Sequence, residues 1–211
     1  MDISDMRREY ESMGLSREEL DGDPFRQFEQ WFAQARESGI EEANALTLAA
    51  ADASGAPSAR TVLLKYFDGN GFVFFTNYAS RKARALEANP CAAMLFPWIA
   101  LNRQVAVEGA VEKVSRAESI RYFMSRPEGS QLGAWVSDQS AVIESREALE
   151  AKLERIKARF QQGSIPVPEF WGGYRVIPQR LEFWQGRPNR LHDRFEYQWD
   201  GETWRINRLQ P

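Results

Sequence analysis

Apolar residues recur along this chain at two periods, and the change between them divides it. Asp23-Pro24 offers a helix N-cap and a first-turn proline. Phe25, Phe28, Phe32 and Ala35 follow on one helical face, and Gly39 ends the helix. From Ala45 the pattern becomes that of strands, predicted over residues 45–52, 58–67 and 72–76 and separated by turns rich in Gly, Ser and Asn. Loops this short imply antiparallel neighbours. Ser80 caps a helix over Arg81–Ala88, which Asn89-Pro90 stops. Strands follow at Cys91–Trp98 and over 102–114, where Val105, Val107 and Val111 alternate with polar or small residues. Ser115 and Glu118 form a capping box that predicts a helix over 116–125, ended by Pro127-Glu128-Gly129. A long helix starts after Ser145, carries Leu149, Leu153, Ile156 and Phe160 as a stripe, and ends at Gly163. Strands return at 173–177, 181–184, 195–199 and 203–207, the last two joined by a turn at Asp200-Gly201-Glu202. The sum is α+β, an antiparallel β-barrel with peripheral helices. Residues 1–22, charged and poor in apolar side chains, read as a mobile N-terminal arm, leaving 23–211 as one domain.

Composition narrows the chemistry. A net charge of −3 argues against general attraction to nucleic acid or an anionic membrane, so any basic site must be local. Arginine supplies 22 of the 27 basic residues, a bias suited to anion recognition. Cys91 is the single cysteine, which rules out an internal disulfide or a Cys-x-x-Cys pair, and its apolar flanks predict an inert buried thiol. His192 is the single histidine, so no His-Glu-x-x-His pair exists and no metal site is predicted. There is no P-loop and no Gly-x-Gly-x-x-Gly turn. A polar, acidic start and the lack of any membrane-length apolar run make a cytoplasmic location the expectation.

Four basic clusters carry the candidate chemistry. Residues 184–194 hold Arg187, Arg190 and Arg194 around His192, beside Trp184, in a segment that Gly186 and Pro188 make a loop. Guanidiniums this close repel unless an anion sits among them, so this reads as an anion-substrate loop. Arg60 and Lys65 bracket an apolar run, on opposite faces if the strand alternates strictly. Arg81, Lys82 and Arg84 follow the Ser80 cap, where cations oppose the helix dipole and an external anion would be favoured. Tyr122, Arg126 and Ser130 are spaced by four, which would align them on one helical face but for Pro127 and Gly129. Two phosphate-sized cups and a histidine point to two phosphorylated ligands, a cofactor and a substrate.

From Arg7-Arg8-Glu9-Tyr10 to Arg208-Leu209-Gln210-Pro211 the chain resembles the pyridoxine/pyridoxamine 5′-phosphate oxidase family. The motifs that carry the resemblance run from Arg60 to Lys65, then Thr76-Asn77 with Ser80-Arg81-Lys82-Ala83. They continue with Gln131-Leu132-Gly133-Ala134-Trp135 and Gln139-Ser140, then Trp184-Gln185-Gly186-Arg187 and Arg190-Leu191-His192-Asp193-Arg194. The resemblance implies a split-barrel homodimer with FMN across the subunit interface. It implies FMN contacts from Arg60, Thr61, Val62, Leu63, Leu64, Lys65, Phe75, Thr76, Arg81, Lys82, Gln104, Gln139, Ser140, Trp184 and Arg194. Substrate contacts would come from Arg7, Arg8, Glu9, Tyr10, Lys65, Tyr122, Arg126, Ser130, Arg190, Leu191 and His192, with residues 7–10 as a lid and Arg190 and His192 as the catalytic pair. Phe75 stands where many relatives have Tyr, which leaves a backbone contact there. The implied reaction moves a hydride from substrate C4′ to the flavin, which O2 reoxidises with release of H2O2.

Three other readings compete. A different split-barrel flavoprotein would not need the Tyr122–Ser130 and Arg190–His192 sites, and a carrier of FMN or pyridoxal phosphate would bind without turnover. A nucleic-acid module, motivated by Arg and Trp, is opposed by the net charge.

Overall fold

The computed structural model describes residues 14–161 and 163–211. Helix α1 (Pro24–Glu37) starts where the Asp23 side chain accepts the Phe25 N–H at 2.9 Å, with Pro24 in the first turn. Its inward face is Phe28, Trp31 and Ala35, while Phe25 and Phe32 of the predicted stripe are only partly buried. Phe28 meets Phe67, Phe72 and Phe96 edge-on, each at 4.9 Å between centroids. These rings join α1 to the barrel interior.

The strands β1 (Ala45–Ala51), β2 (Pro57–Leu63), β3 (Tyr66–Asp68), β4 (Gly71–Asn77), β5 (Cys91–Trp98), β6 (Arg103–Lys113) and β7 (Trp171–Gln185) form one antiparallel sheet in the order β2-β1-β5-β6-β7-β4-β3. Strands β8 (Asp193–Trp199) and β9 (Trp204–Leu209) continue from the second half of β7. The edge strands β2 and β3 are consecutive in the chain, so the sheet curls back on itself as a split barrel of α+β class, the expected architecture.

The 58–67 stretch, expected as one strand, is two. The Leu64 N–H bonds the Asn44 carbonyl and the Lys65 N–H bonds the Val73 carbonyl, both at 2.9 Å. The chain thus changes neighbour from β1 to β4 between adjacent residues and turns the corner of the barrel. Leu64 is buried there, so the apolar run carries no sign of the break. Conversely, 173–177 and 181–184 are one strand, β7. Pro178 lies at the bulge opposite Glu108 and Gly109, where a ladder N–H is dispensable. A Cβ on Gly109 would run into the Ile177 carbonyl oxygen, so the bulge requires glycine.

Helices α2 (Arg81–Ala88), α3 (Arg116–Met124) and α5 (Arg146–Arg159) begin at Ser80, Ser115 and Ser145, as their caps predicted. Pro127-Glu128-Gly129 does end α3, but it also opens a helix the sequence did not reveal, α4 (Glu128–Val136). None of α5 is fully buried. Leu153 and Ile156, with Phe160 beyond its end, lean on a small cluster of Phe123, Leu132, Ile165 and Trp171.

Two further expectations change. Cys91 begins β5 on the exposed face, since β5 buries Ala92, Met94 and Phe96 and alternation turns Cys91 outward. Within the 1–22 arm, residues from Gly14 onward pack on the barrel: Leu15 and Leu20 are buried and the Tyr197 hydroxyl donates to the Asp21 carbonyl at 2.7 Å. Arg7, Arg8, Glu9 and Tyr10 lie outside the described residues. Among the described residues no helix is long and apolar enough to cross a membrane.

Candidate functional site

A cleft of about 670 Å³ opens where β2 and β4 meet α2, α3 and α4. Arg60, Thr61, Val62, Leu63 and Lys65 line it from the barrel corner, Phe75 and Thr76 from β4, and Lys82 from α2. Tyr122, Arg126 and Ser130 line it from the α3–α4 break, and Gln139 from beyond α4. The change of strand partner at Leu64 rephases the alternation, so Arg60 and Lys65 reach the same space. Leu64 itself points into the core. Pro127 bends the chain between Tyr122 and Ser130, yet two short helices bring both residues and Arg126 to the same wall.

The cleft has two cationic ends. At the α2 N-terminus the Lys82 ammonium donates to Gln139 Oε1 at 2.7 Å and Thr76 Oγ1 at 3.1 Å, and the Arg81 N–H donates to Ser140 Oγ at 3.2 Å. Ser140 holds φ of 74° to make that contact. Burial, then the Arg60 charge, pushes the Lys82 pKa down to about 8. At the other end Arg126 lies over the Trp171 ring at 4.8 Å, and its buried Nη1 has no hydrogen-bond partner among the described residues. Burial lowers its pKa too. Phe75, Tyr122 and Trp171 stack between these ends, with Phe75 and Tyr122 centroids 4.1 Å apart.

Among the described residues, none that lines the cleft is Asp or Glu. Among the described residues, Arg60, Lys65, Lys82 and Arg126 have no carboxylate within 4.0 Å; each of the ion pairs found there involves other residues. Cations held this way favour an anion from outside. Ser137 and Trp171 also line the cleft and were not singled out from sequence, and Asn77, quoted there only as part of a motif, joins them. The Asn77 Oδ1 accepts the Ala79 N–H at 2.7 Å, an Asx turn that Asn three residues before a Ser cap could have signalled. Another hollow, of about 720 Å³, lies over Ala49, Ala93 and Cys91, but its charges, Glu108 and Arg180, face each other at 3.6 Å.

The remaining predicted residues form a second group. Gln104 pairs with Trp184, and Trp184 with Arg194, across β6, β7 and β8. Arg194 donates to both oxygens of Glu182, Nε to Oε1 at 2.8 Å and Nη2 to Oε2 at 2.9 Å, which raises its pKa. The His192 ring leans on Trp184 at 4.6 Å, and its Nδ1 accepts the Arg187 backbone N–H at 3.1 Å. In the neutral ring Nε2 therefore carries the proton. Burial first, then Arg190, lowers the His192 pKa, and Asp193 opposes them. Arg190 and Leu191 are exposed on the same loop. Glu182, Ala106, Leu95, Thr47 and Thr61 form one cross-strand row from this group to the cleft. Four strand spacings make that row about 19 Å long.

Fold and cleft define a split-barrel protein with a cationic cleft walled by aromatic rings. A family model described as pyridoxamine 5′-phosphate oxidase matches residues 32–160. A second, described as the pyridoxine 5′-phosphate oxidase C-terminal dimerisation region, matches residues 171–211. The pyridoxine/pyridoxamine 5′-phosphate oxidase of Crocosphaera subtropica is 60% identical over 214 residues, and that of Rippkaea orientalis 60% over 212, each alignment covering 100% of both chains. The crystal structure of PhzG from Burkholderia lata, in complex with tetrahydrophenazine-1-carboxylic acid, superposes with a TM-score of 0.88 at 29% identity, covering 94% of this chain and 98% of that one. The chain belongs to the pyridoxamine 5′-phosphate oxidase family.

Proposed function

We propose that this chain oxidises pyridoxamine 5′-phosphate and pyridoxine 5′-phosphate to pyridoxal 5′-phosphate, with FMN as cofactor and O2 as final acceptor. The observation that carries this reading is the cleft itself: four cations with no carboxylate among the described residues that line it, gathered at two ends of an aromatic wall. The relatives named for this oxidation align over the whole chain. The amine reaction consumes O2 and water and yields ammonia and H2O2; the alcohol reaction consumes O2 and yields H2O2.

The residues fit the cofactor. Arg60, Arg81, Lys82, Gln139 and Ser140 surround a phosphate-sized end at a helix N-terminus, where backbone dipoles favour an anion. Thr61 to Leu63, Phe75 and Thr76 would flank the flavin. When bound there, FMN would supply the redox chemistry, the hydride acceptor and the route of electrons to O2. Lys65, Tyr122, Arg126 and Ser130 hold the substrate phosphate, and the half-buried Arg126 binds it more tightly for lack of competing water. Arg190 and His192 orient the substrate ring, with Nε2–H of His192 as a donor rather than a base.

Because about 19 Å of sheet separates the two groups in one chain, the complete site takes the second group from another copy. The surface between them is mostly small and uncharged, with Thr47, Ala49, Ala93, Leu95 and Ala106, which suits a homodimer interface with FMN across it. Gly14 and Leu15 lie beside the His192 loop, and Arg7, Arg8, Glu9 and Tyr10, which precede them closely in the sequence, would add substrate contacts.

The test is a visible absorption spectrum of the purified protein, before and after anaerobic addition of pyridoxamine 5′-phosphate. A flavin band that bleaches and returns with air is the expected result. A band that stays unchanged means another flavoprotein activity, and no flavin after supply of FMN removes the reading altogether.

A further inference from the structure

The loop that carries Arg190 and His192 has an unfavourable backbone. Asn189 and Arg190 both adopt positive φ, 56° and 61°. Asn tolerates this region, but Arg seldom enters it, and such a conformation persists only where the surroundings over-determine it. The surroundings here converge on one carboxylate. Asp193 is nine-tenths buried, and its Oδ2 accepts the Leu15 N–H at 3.0 Å and lies 3.5 Å from Arg187 Nε. Its Oδ1 accepts from Arg208 Nη2, and Arg208 rests over the Phe195 ring. Gly14 crosses this cluster with φ of 93°, and a Cβ there would come within 2.7 Å of the Arg187 guanidinium and 3.0 Å of Asp193 Oδ2. Arg187 is also the residue whose backbone N–H fixes Nδ1 of His192.

We propose that Asp193 is a positioning residue of the reaction. Through Arg187 it clamps the left-handed Asn189–Arg190 turn, and with it the His192 ring, in the arrangement that presents both side chains to the phosphorylated substrate. The inference rests on the reading of Arg190 and His192 as substrate contacts. Two other roles for Asp193 are simpler, charge neutralisation of two arginines and anchorage of Leu15; removing the charge then lowers the His192 pKa further, but neither role predicts a change of tautomer in the neutral ring.

The chain's one histidine makes the test direct. Full-length, FMN-loaded protein labelled with 15N in histidine shows a single ring whose tautomer is read by NMR. Wild type is expected as the Nε2–H form. Asp193→Asn keeps the shape and an acceptor for Leu15, and Arg187→Met keeps the backbone donor while losing the ion pair. Both are expected to raise the Nδ1–H share about five-fold, the shift that loss of one net hydrogen bond gives. Both are also expected to raise KM for pyridoxamine 5′-phosphate on the order of ten-fold while kcat stays within about three-fold. An unchanged tautomer in both variants overturns the proposal, whatever happens to activity. If Asp193→Asn fails to fold, Arg187→Met decides alone. If wild type does not oxidise the substrate, the function reading fails, and the tautomer still decides whether the clamp exists.

Discussion

Arg194 and Glu182 are diagonal neighbours on β8 and β7, joined by two hydrogen bonds of 2.8 and 2.9 Å. The guanidinium proposed to face FMN is thus aimed by a carboxylate on its own sheet. Glu182→Ala should cost about 2 kcal/mol in urea unfolding, since bonds between charged, partly buried groups are worth more than neutral ones. It should also weaken FMN binding, and Glu182→Gln should lose less of both. Equal losses in the two variants would show that the paired geometry does not matter.

Lys82 titrates from about 8 rather than 10.5 because it is buried beside Arg60. In that window the unfolded chain holds the extra proton. The lysine's contribution to the stability of the FMN-free protein is therefore full above about pH 10.5 and lost as pH falls through about 8. A bound phosphate restores the charged form. Calorimetry of FMN binding at about pH 8.5, in buffers of different ionisation enthalpy, should show uptake of more than about half a proton per site in wild type and much less in Lys82→Met.

Arg126 holds a buried nitrogen without a partner among the described residues. Arg126→Gln should raise KM for pyridoxamine 5′-phosphate about 10- to 100-fold, the loss of one charge-assisted contact of roughly 1.5–3 kcal/mol, and alter kcat much less. Steady-state kinetics with varied substrate at fixed FMN decide it. A fall in kcat with KM unchanged would place this arginine at the reacting carbon instead.

Gly173 faces Phe75 across β4 and β7, and a Cβ there would lie 2.8 Å from both Phe75 Cε1 and Val114 Cγ2. Gly173→Val therefore displaces the Phe75 ring from its stack with Tyr122. FMN affinity, followed by flavin fluorescence, should drop about ten-fold, with a stability loss of about 1–3 kcal/mol.

What the chain disclosed in advance follows from how local each signal is. The serine caps and the alternating strands depend on neighbours a few residues away, and Ser80, Ser115 and Ser145 stand where they were predicted. The break at Lys65 depends on Val73 and Asn44 competing for one strand, which no local pattern records. Pro127 was ambiguous because proline ends one helix as readily as it starts the next. The basic residues were visible, but their convergence was not: Arg60 and Arg126 come to line one cleft only after the barrel closes. Asp193 looked like one more charge in a charged loop until its burial set it apart.

The row from Thr61 to Glu182 also has a genetic consequence. If every site takes its cleft from one chain and its His192 group from the other, damage to either half is not equivalent in mixed dimers. An Arg126→Gln chain and a His192→Ala chain, each defective as a homodimer, pair to give one site with both lesions and one with neither. Co-expression should then recover up to about a quarter of wild-type activity, half of the dimers being mixed and half of their sites intact. Two lesions in the same half, Arg126→Gln with Ser130→Ala, should recover nothing.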